Sequence, residues 1–179
     1  KCDAYDNTIG YEGETPANAY INRLLAPTYV WALNIDAAAP YLQIESNDTD
    51  LCVCDGTSVW AIKLGSPFTV TKQDFEGSSI GQADGYMIAS VKGTGQFRIS
   101  GLNDAFTWDP LDYGTAEGDQ DSLLRIIVDH RELWAFGVRS TEIYYNSGAA
   151  DFPYARAAGG FLEHGIAAAE PILRGQLVA

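Results

Sequence analysis

Closely spaced polar turns divide the sequence into runs too short for most helices, and this division most constrains how the chain can fold. The clearest example is an apolar run at 124–128, a polar turn at 129–132, a second apolar run at 133–138 and a β-branched, aromatic run at 141–145. Isoleucine, valine, tryptophan, phenylalanine, tyrosine and threonine favour the pleated surface of a sheet. No window there keeps the 3.6-residue period of an amphipathic helix. The stretch therefore predicts an antiparallel meander of short strands.

The same unit recurs along most of the chain. Further short runs, separated by polar turns, lie at 41–45, 51–54, 58–64, 68–72, 78–82, 86–91 and 96–100. The strand that follows a polar turn begins at Leu51, Tyr86 and Leu133, so the unit repeats every ~35–50 residues, which is the spacing of β-propeller blades. We therefore predict an all-β fold in which residues 41–179 form a partial β-propeller of about three four-stranded antiparallel blades. A β-sandwich has a similar density of strands and is the alternative fold.

Residues 1–40 are less regular and are predicted to form a separate N-terminal segment. Pro16 and Pro27 flank residues 17–25 in the way that suits a short helix, and residues 29–35 have the composition of a strand. The first residues include no Met and no apolar stretch of the signal-peptide type, so we expect a processed or partial chain.

The C-terminal part of the repeat region supports the same expectation of a partial chain. Residues 160–168 resemble the opening strand of another blade. We therefore predict that the blades are part of a longer propeller, because three blades do not close a ring.

The charge of the chain limits the classes of molecule that it can be expected to bind. Formal net charge is −13, with 24 acidic and 11 basic side chains. Such a surface repels phosphate backbones, so tight binding of nucleic acid is not expected, although an acidic wall would let DNA slide past. The sequence has no apolar run of about 18 residues that would span a membrane.

The three cysteines and two histidines do not have the spacing of a disulfide framework, a metal site or a catalytic site. Cys52 and Cys54 are two apart in a strand, so both point to one face, where neighbours rarely reach disulfide geometry. Cys2 stands alone, and no second Cys or His pair has the spacing of metal ligands, so Cys52 and Cys54 are predicted to be buried apolar side chains. His130 lies in a turn and should face solvent, whereas His164 is predicted to be a hydrogen-bonded structural residue. The sequence predicts no catalytic, cofactor-binding or metal-binding residue.

Six carboxylates are concentrated in the connection 103–121. They are Asp104, Asp109, Asp112, Glu117, Asp119 and Asp121. Paired carboxylates can hydrolyse glycosides or hold calcium, but the connection has no calcium-loop pattern, and Asp48, Asp50 and Asp55 also lack the spacing. Runs of charge are most often solvated, so we predict a solvated acidic loop.

Residues 101–108 approximate the Asp box, a Ser-x-Asp-x-Gly-x-Thr-Trp turn found between propeller strands. Thr107 and Trp108 match, and Asn103 stands in the Asp position, where it can also bond to local backbone. We predict that this turn has a structural role, with the side chain of Trp108 packed under the hairpin.

Two alternative functions are nevertheless open. One is a propeller glycan-binding or glycoside-hydrolase module, suggested by the Asp box and the carboxylates; the other is a cellular repeat scaffold for protein contacts. A sialidase-like site would need several arginines from separate blades. The repeat region contains Arg98, Arg125, Arg131, Arg139 and Arg156.

The large aromatic side chains are predicted to be core residues rather than a platform for sugars. They are Trp60, Trp134, Phe136, Tyr144 and Tyr145. Strand alternation should place Trp134 and Phe136 on one face and Leu133 and Ala135 on the other.

Several long strings in the repeat region resemble those of one protein family. The strings are GTGQFRISGLND at 93–104 followed by Trp108-Asp109, DHRELWAFG at 129–137 followed by Ser140-Thr141-Glu142 and Tyr145-Asn146-Ser147-Gly148, and DFPY at 151–154 followed by Arg156 and Gly160. They are similar to strings of the packaged-DNA stabilisation proteins of short-tailed phages, which are head-completion or tail-hub proteins. The resemblance covers residues 41–170 and does not extend to residues 1–40.

The resemblance implies a structural β-propeller protein without enzymatic activity. It implies synthesis in the host cytoplasm and a place in the virion tail, in a homo-oligomeric ring that lines or closes the DNA channel below the portal and anchors tail parts. The implied partners are the portal adaptor and the needle or tailspike, with DNA passing nearby and no membrane. The family carries no catalytic residues, so none is assigned to this chain. Its members are longer than the resembling stretch, so this chain would be a segment or a reduced version.

Overall fold

The computed structural model of the chain describes residues 18–26, 29–36, 41–65, 67–119 and 121–168. They belong to two compact units, Lys1–Pro40 and Tyr41–Ala179. We describe each unit by itself.

The first unit contains an antiparallel pair of strands, β1 (Asn18–Ala26) and β2 (Tyr29–Asp36). The short helix predicted at 17–25 is therefore wrong. A segment of that length is marginal as an isolated helix, which needs ~12–15 residues in water. Pairing with β2, from Asn18 opposite Asp36 to Ala26 opposite Tyr29, instead satisfies its backbone. The remaining N-terminal residues, 1–17, lie outside the described part of the chain.

The second unit contains strands and their connecting turns, and no helix, in its described residues. The strands are β3 (Gln43–Ser46), β4 (Asp50–Cys54), β5 (Ser58–Lys63), β6 (Val70–Ala83), β7 (Tyr86–Val91), β8 (Gln96–Ile99), β9 (Tyr113–Thr115), β10 (Leu123–Asp129), β11 (Glu132–Gly137), β12 (Thr141–Asn146) and β13 (Tyr154–Leu162). Every pairing between them is antiparallel and joins strands that are consecutive in sequence. The sequence-based prediction of an antiparallel meander is confirmed.

The long strand β6 belongs to two sheets. Its first half pairs with β5 as far as Glu76, and its second half pairs with β7 from Gly77 onward. The sequence had predicted two strands at 68–72 and 78–82, which the structure joins into one. Three four-stranded units result: the first blade (β3, β4, β5 and the first half of β6), the second blade (the second half of β6, then β7, β8 and β9) and the third blade (β10 to β13).

Gly77, where β6 passes from the first blade to the second, needs to be glycine. A Cβ atom added there would lie 2.5 Å from Cγ2 of Val59, closer than real side chains approach one another. The absence of a side chain therefore lets the two halves of this seven-stranded sheet fold face to face.

Two apolar layers lie between the three blades. Between the first and second blades, Cys52, Cys54 and Val59 pack with Met87 and Ala89. Between the second and third, Ile88, Phe97 and Ile99 pack with Ile126, Leu133 and Tyr144. Neighbouring residues of β7 thus point into different layers, as strand alternation requires.

The second blade is therefore covered on both faces, in a row of three sheets. This is a partial propeller, as predicted, and a two-layer sandwich does not describe it. Each fully buried large side chain in these layers contributes about 1.5–3 kcal/mol to the free energy of unfolding.

Side chains that bond to backbone connect the first strands of adjacent blades. The Gln43 side chain accepts a hydrogen bond from the Ile80 amide (3.2 Å) and donates one to the Ile80 carbonyl (3.3 Å). The buried Ser79 hydroxyl does the same for Ile126, accepting from its amide (3.1 Å) and donating to its carbonyl (3.2 Å). Since β6 lies beside both β3 and β10, these two contacts hold the three inner strands next to one another.

The fourth strands of the second and third blades, β9 and β13, are missing from the sequence-based prediction. β9 has only 3 residues and lies in the connection predicted as an acidic loop. β13 contains small residues and a wide bulge, because Glu142 pairs with Phe161 while Tyr144 pairs with Arg156.

The prediction for residues 160–168 is wrong in part. Residues 160–162 end the third blade as part of β13 rather than opening another blade.

The Ser79 contact can be tested by removing its hydroxyl. We expect Ser79→Ala to lower the free energy of unfolding by about 1–3 kcal/mol, because the Ile126 amide and carbonyl lose a partner in a buried position. Urea denaturation followed by tryptophan fluorescence measures this change. Thr71→Ala, at an exposed position in the first half of the same strand, serves as the control and should change stability by less than ~0.5 kcal/mol. Equal stability of the two variants would show that the contact contributes nothing.

Candidate interaction surfaces

The outer face of the third blade is apolar and only partly covered. Ile127, Trp134 and Ile143 are directly opposite one another on three adjacent strands and are half-buried. The Trp134 ring stacks on Phe136 with centroids 6.3 Å apart, and Tyr145 of the same face is 45% exposed. A continuous aromatic and aliphatic sheet face of this kind can bind another sheet or protein surface.

The opposite face of the third blade is buried against the second blade through Leu133, Ala135 and Tyr144. The prediction that Trp134 and Phe136 share one face, and Leu133 and Ala135 the other, is confirmed. The prediction of aromatic core residues holds for Trp60, Phe136 and Tyr144. It holds only in part for Trp134, which is half-buried, and fails for Tyr145, which is exposed.

A buried carboxylate fixes the connection between the second and third blades. Glu142, 1% exposed, accepts hydrogen bonds from the Gly118 amide (2.6 Å), the Tyr144 hydroxyl (2.9 Å) and the Arg156 guanidinium (3.2 Å). Burial, and next the charge of Glu142, raise the pKa of Tyr144 far above its usual value. The phenol therefore stays protonated at neutral pH and continues to donate.

Carboxylates within the connection 103–121 also make hydrogen bonds, both inside the connection and to the third blade. Asp121 accepts from the amide of Arg139 (2.6 Å) and from the amide and hydroxyl of Ser140 (3.4 and 3.1 Å), and Asp119 pairs with the Arg139 guanidinium at 2.8 Å. The Asp109 carboxylate accepts from the Leu111 amide (2.9 Å). The solvated acidic loop predicted from the sequence is thus, in large part, a series of hydrogen-bonded turns.

The turn that resembles an Asp box is structural, but a different residue bonds to its backbone. Asp104, and not Asn103, accepts from the Phe106 amide (2.9 Å) and the Thr107 hydroxyl (2.7 Å). These bonds outweigh the effect of its burial and lower the pKa of Asp104. Trp108 is buried against Phe75, with ring centroids 5.1 Å apart, as the sequence predicted.

Cys52, Cys54 and the two histidines have the environments that the sequence predicts, with one exception, and Cys2 lies outside the described residues. Cys52 and Cys54 are buried free thiols on one face of β4, and burial raises their pKa to about 12 and about 11. The His130 side chain is exposed at a hairpin tip. His164 is bonded through its carbonyl, which accepts from the Thr141 hydroxyl, but its side chain is exposed.

The hairpin between β10 and β11 has unusual backbone geometry. Both of its tip residues, His130 and Arg131, have positive φ angles, 49° and 66°, which side-chain-bearing residues rarely adopt. The corresponding hairpin of the second blade has Asp84 and Gly85 at its tip, and glycine takes this conformation without strain. Arg131 contacts that hairpin through Asp84, at 2.7 Å.

The five arginines of the repeat region do not form one site. Arg131 and Arg139 lie at opposite ends of β11 and pair with Asp84 and Asp119. Arg156 bonds to Glu142, Arg98 lies over the ring of Phe75 and Arg125 over that of Tyr41. A sialidase-like site, in which several arginines from separate blades point into one pocket, is therefore not formed by these side chains.

The described residues contain no group of three or more His, Cys, Asp or Glu side chains placed to hold a metal ion. Nor does that part of the chain form a helix long and apolar enough to cross a membrane.

Comparison with known proteins identifies the family. The family model described as "Bacteriophage P22 Gp10, beta-propeller" matches residues 41–174, which include all three blades. The chain belongs to this family. The resemblance found in the sequence is thereby confirmed, and the protein is a phage structural protein of the virion.

Solved structures support the fold of this Gp10 family member. The chain is similar to Hsv2 of Kluyveromyces lactis at a TM-score of 0.50 and 12% identity, over 86% of this chain and 53% of that one. It is equally similar to an Hsv2 whose loop 6CD is complete, at 11% identity, and to one whose loop 6CD is replaced by a Gly-Ser linker, at 12%. The chain spans about half the length of these proteins. No curated protein sequence matches it.

The burial of the two thiols predicts how stability depends on pH. Their folded pKa values, about 12 and about 11, lie above the ordinary value of 9.0, so the folded state holds these protons more tightly. Their contribution to stability is therefore complete below about pH 9 and is lost as pH rises toward 11–12. We expect urea denaturation between pH 8 and 10 to show a smaller loss of stability in a Cys52→Ala, Cys54→Ala variant than in the parent. Parallel pH profiles in both proteins would contradict the assignment.

The strained hairpin predicts a stabilising substitution. Replacing His130 and Arg131 by Asn and Gly should raise the free energy of unfolding by about 1 kcal/mol, because Asn-Gly adopts this turn without strain. The lost ion pair to Asp84, whose side chain is only 16% exposed, would subtract from this gain, so all variants are compared in an Asp84→Asn background in which the ion pair is absent. Thermal unfolding of the double variant measures the gain. Arg131→Lys keeps both the charge and the strain, and it should match the parent. If the double variant is no more stable than Arg131→Lys, the positive φ angles at positions 130 and 131 do not destabilise the folded state.

Proposed function

We propose that this chain is a segment of a head-completion or tail-hub protein in the tail of a short-tailed phage, with a structural and not an enzymatic role. The observation that carries the proposal is the family match over the same residues that form the three blades. The surfaces described above agree with a role in assembly, since the third blade presents a wide apolar face.

We also propose that these blades are part of a longer propeller. In the first two blades, a carbonyl of the turn between the second and third strands accepts from the amide that begins the next blade. These bonds are Thr57 carbonyl from Gly77 amide (3.0 Å) and Thr94 carbonyl from Leu123 amide (2.8 Å).

The third blade has a corresponding bond. At the end of β11, the Gly137 carbonyl accepts from the Ile166 amide (2.9 Å). Ile166 thus occupies the position from which the inner strand of a further blade would start. A sheet built from that point would cover Ile127, Trp134 and Ile143, as the third blade covers the second.

The charge of the chain suits a place beside DNA. With a net charge of −13, the protein would not neutralise phosphates, and DNA could pass along it without tight binding. We propose that copies of the complete protein form a ring below the portal, lining or closing the channel. Its neighbours there would be the portal adaptor and the needle or tailspike.

The proposal predicts where the protein lies in the particle. Cryo-electron microscopy of purified phage, with the chain located by an inserted epitope, should show propeller density in a ring around the DNA channel at the tail. The longer propeller would appear there as at least one additional blade on the outer face of the third. Absence of the chain from purified particles, or its location in the capsid shell, would overturn the tail-hub assignment.

A further inference from the structure

The connection between β8 and β9 presents large apolar side chains at the rim of the second blade. Leu111 is 81% exposed, Leu102 58% and Tyr113 42%. Both faces of this blade are already covered by its neighbours, so these residues are not part of an incomplete blade interface. Leu111 and Tyr113 are two residues apart, and exposed apolar side chains this close together can form an interaction surface.

Leu111 lies at the tip of a hydrogen-bonded turn, residues 109–113, which we call the Leu111 tip. The Asp109 carboxylate accepts from the Leu111 amide, and the Asp109 carbonyl from the Asp112 amide (3.0 Å). The Asp112 carbonyl in turn accepts from the Ile99 amide of β8 at 3.1 Å, which attaches the turn to the sheet.

The base of the connection is equally fixed. Trp108 is buried, and its indole donates to the Ala105 carbonyl (2.8 Å), while the Ala105 amide donates to the buried Asp50 carboxylate (3.0 Å). An exposed leucine on a preorganised support loses little conformational freedom when it binds.

The charges around the tip select the kind of partner. Asp109 and Asp112 are beside Leu111, and the whole chain carries a net charge of −13. A second copy of this chain would bring carboxylates against carboxylates, and DNA would bring phosphates, so both are disfavoured. A surface with an apolar pocket for the leucine and a rim of Lys or Arg side chains complements the tip in shape and charge.

We propose that the Leu111 tip binds a different protein of the virion, one that presents an apolar pocket rimmed by basic side chains. This inference rests on the proposed virion role and specifies the surface through which that role is carried out. Tyr113, which follows in β9, extends the contact along the rim of the blade.

The contact can be tested by site-specific photo-crosslinking in assembled particles. The crosslinking amino acid p-benzoylphenylalanine is placed at position 111, at 113, or at the control position 138, where Val138 is 52% exposed at a turn of the third blade. We expect positions 111 and 113 to yield one common adduct with another virion protein, about tenfold stronger than any adduct with that protein from position 138.

Three outcomes would overturn the proposal while leaving the virion role intact. They are particles that contain the chain but give no adduct from 111 and 113, adducts only with a second copy or with DNA, and equal adducts from position 138. Absence of the chain from the particles would overturn the virion role itself, and the protein composition of the particles distinguishes that case.

The charge requirement has its own test. Asp112→Lys should reduce the adduct from position 111 by about tenfold, because it brings a positive charge to the basic rim. Asp48→Lys, which changes an exposed carboxylate of the first blade, is the matched control and should leave the adduct unchanged. Thermal unfolding confirms that both variants are folded. An adduct insensitive to Asp112→Lys would show that the partner surface is not basic.

Discussion

The structure depends on burial of both faces of a sheet by its neighbours. Strands such as β7 alternate apolar residues toward two different layers, so an isolated blade would expose one apolar face or both to water. Met87 and Ala89 need the first blade, and Ile88 needs the third. Because each blade stabilises the next, stability increases along a row of blades, as it does in other repeat proteins. Gly77 is part of the same requirement, since a side chain there would separate the first two blades.

Apolar layers of this kind tolerate sliding, and polar contacts set the register between the blades. The Gln43 and Ser79 side chains each bond to both backbone groups of one residue on the next inner strand, so a shift of one residue would break two hydrogen bonds at once. Glu142 has the same effect farther from these strands, because its carboxylate fixes the connection that leads from the second blade to the third. The hydrophobic layers therefore supply most of the stability, and a few buried polar groups define how the blades are aligned.

The strand pattern could be predicted from the sequence because hydrophobic alternation and turn residues are local signals. The family could be predicted because long strings such as DHRELWAFG are retained in the repeat region. The predictions that failed concern strands that form through pairing with other parts of the chain. Residues 18–26 became a strand because β2 pairs with them, and the three residues of β9 became a strand because β8 lies alongside. The part played by Asp104 in the turn near Trp108, and the exposure of Leu111, depend on backbone geometry that composition does not encode.

The two exposed apolar surfaces differ in size and charge, and this difference suits them to different partners. The outer face of the third blade is a broad sheet of Ile127, Trp134 and Ile143, which resembles the layers already buried inside the molecule and suits another sheet. The Leu111 tip is a small apolar projection between carboxylates, which suits a pocket of opposite charge. A chain that repels both DNA and its own copies at such a tip would associate there with a different protein. The broad face is thus suited to continuing the propeller, while the acidic rim is suited to attaching it to the rest of the particle.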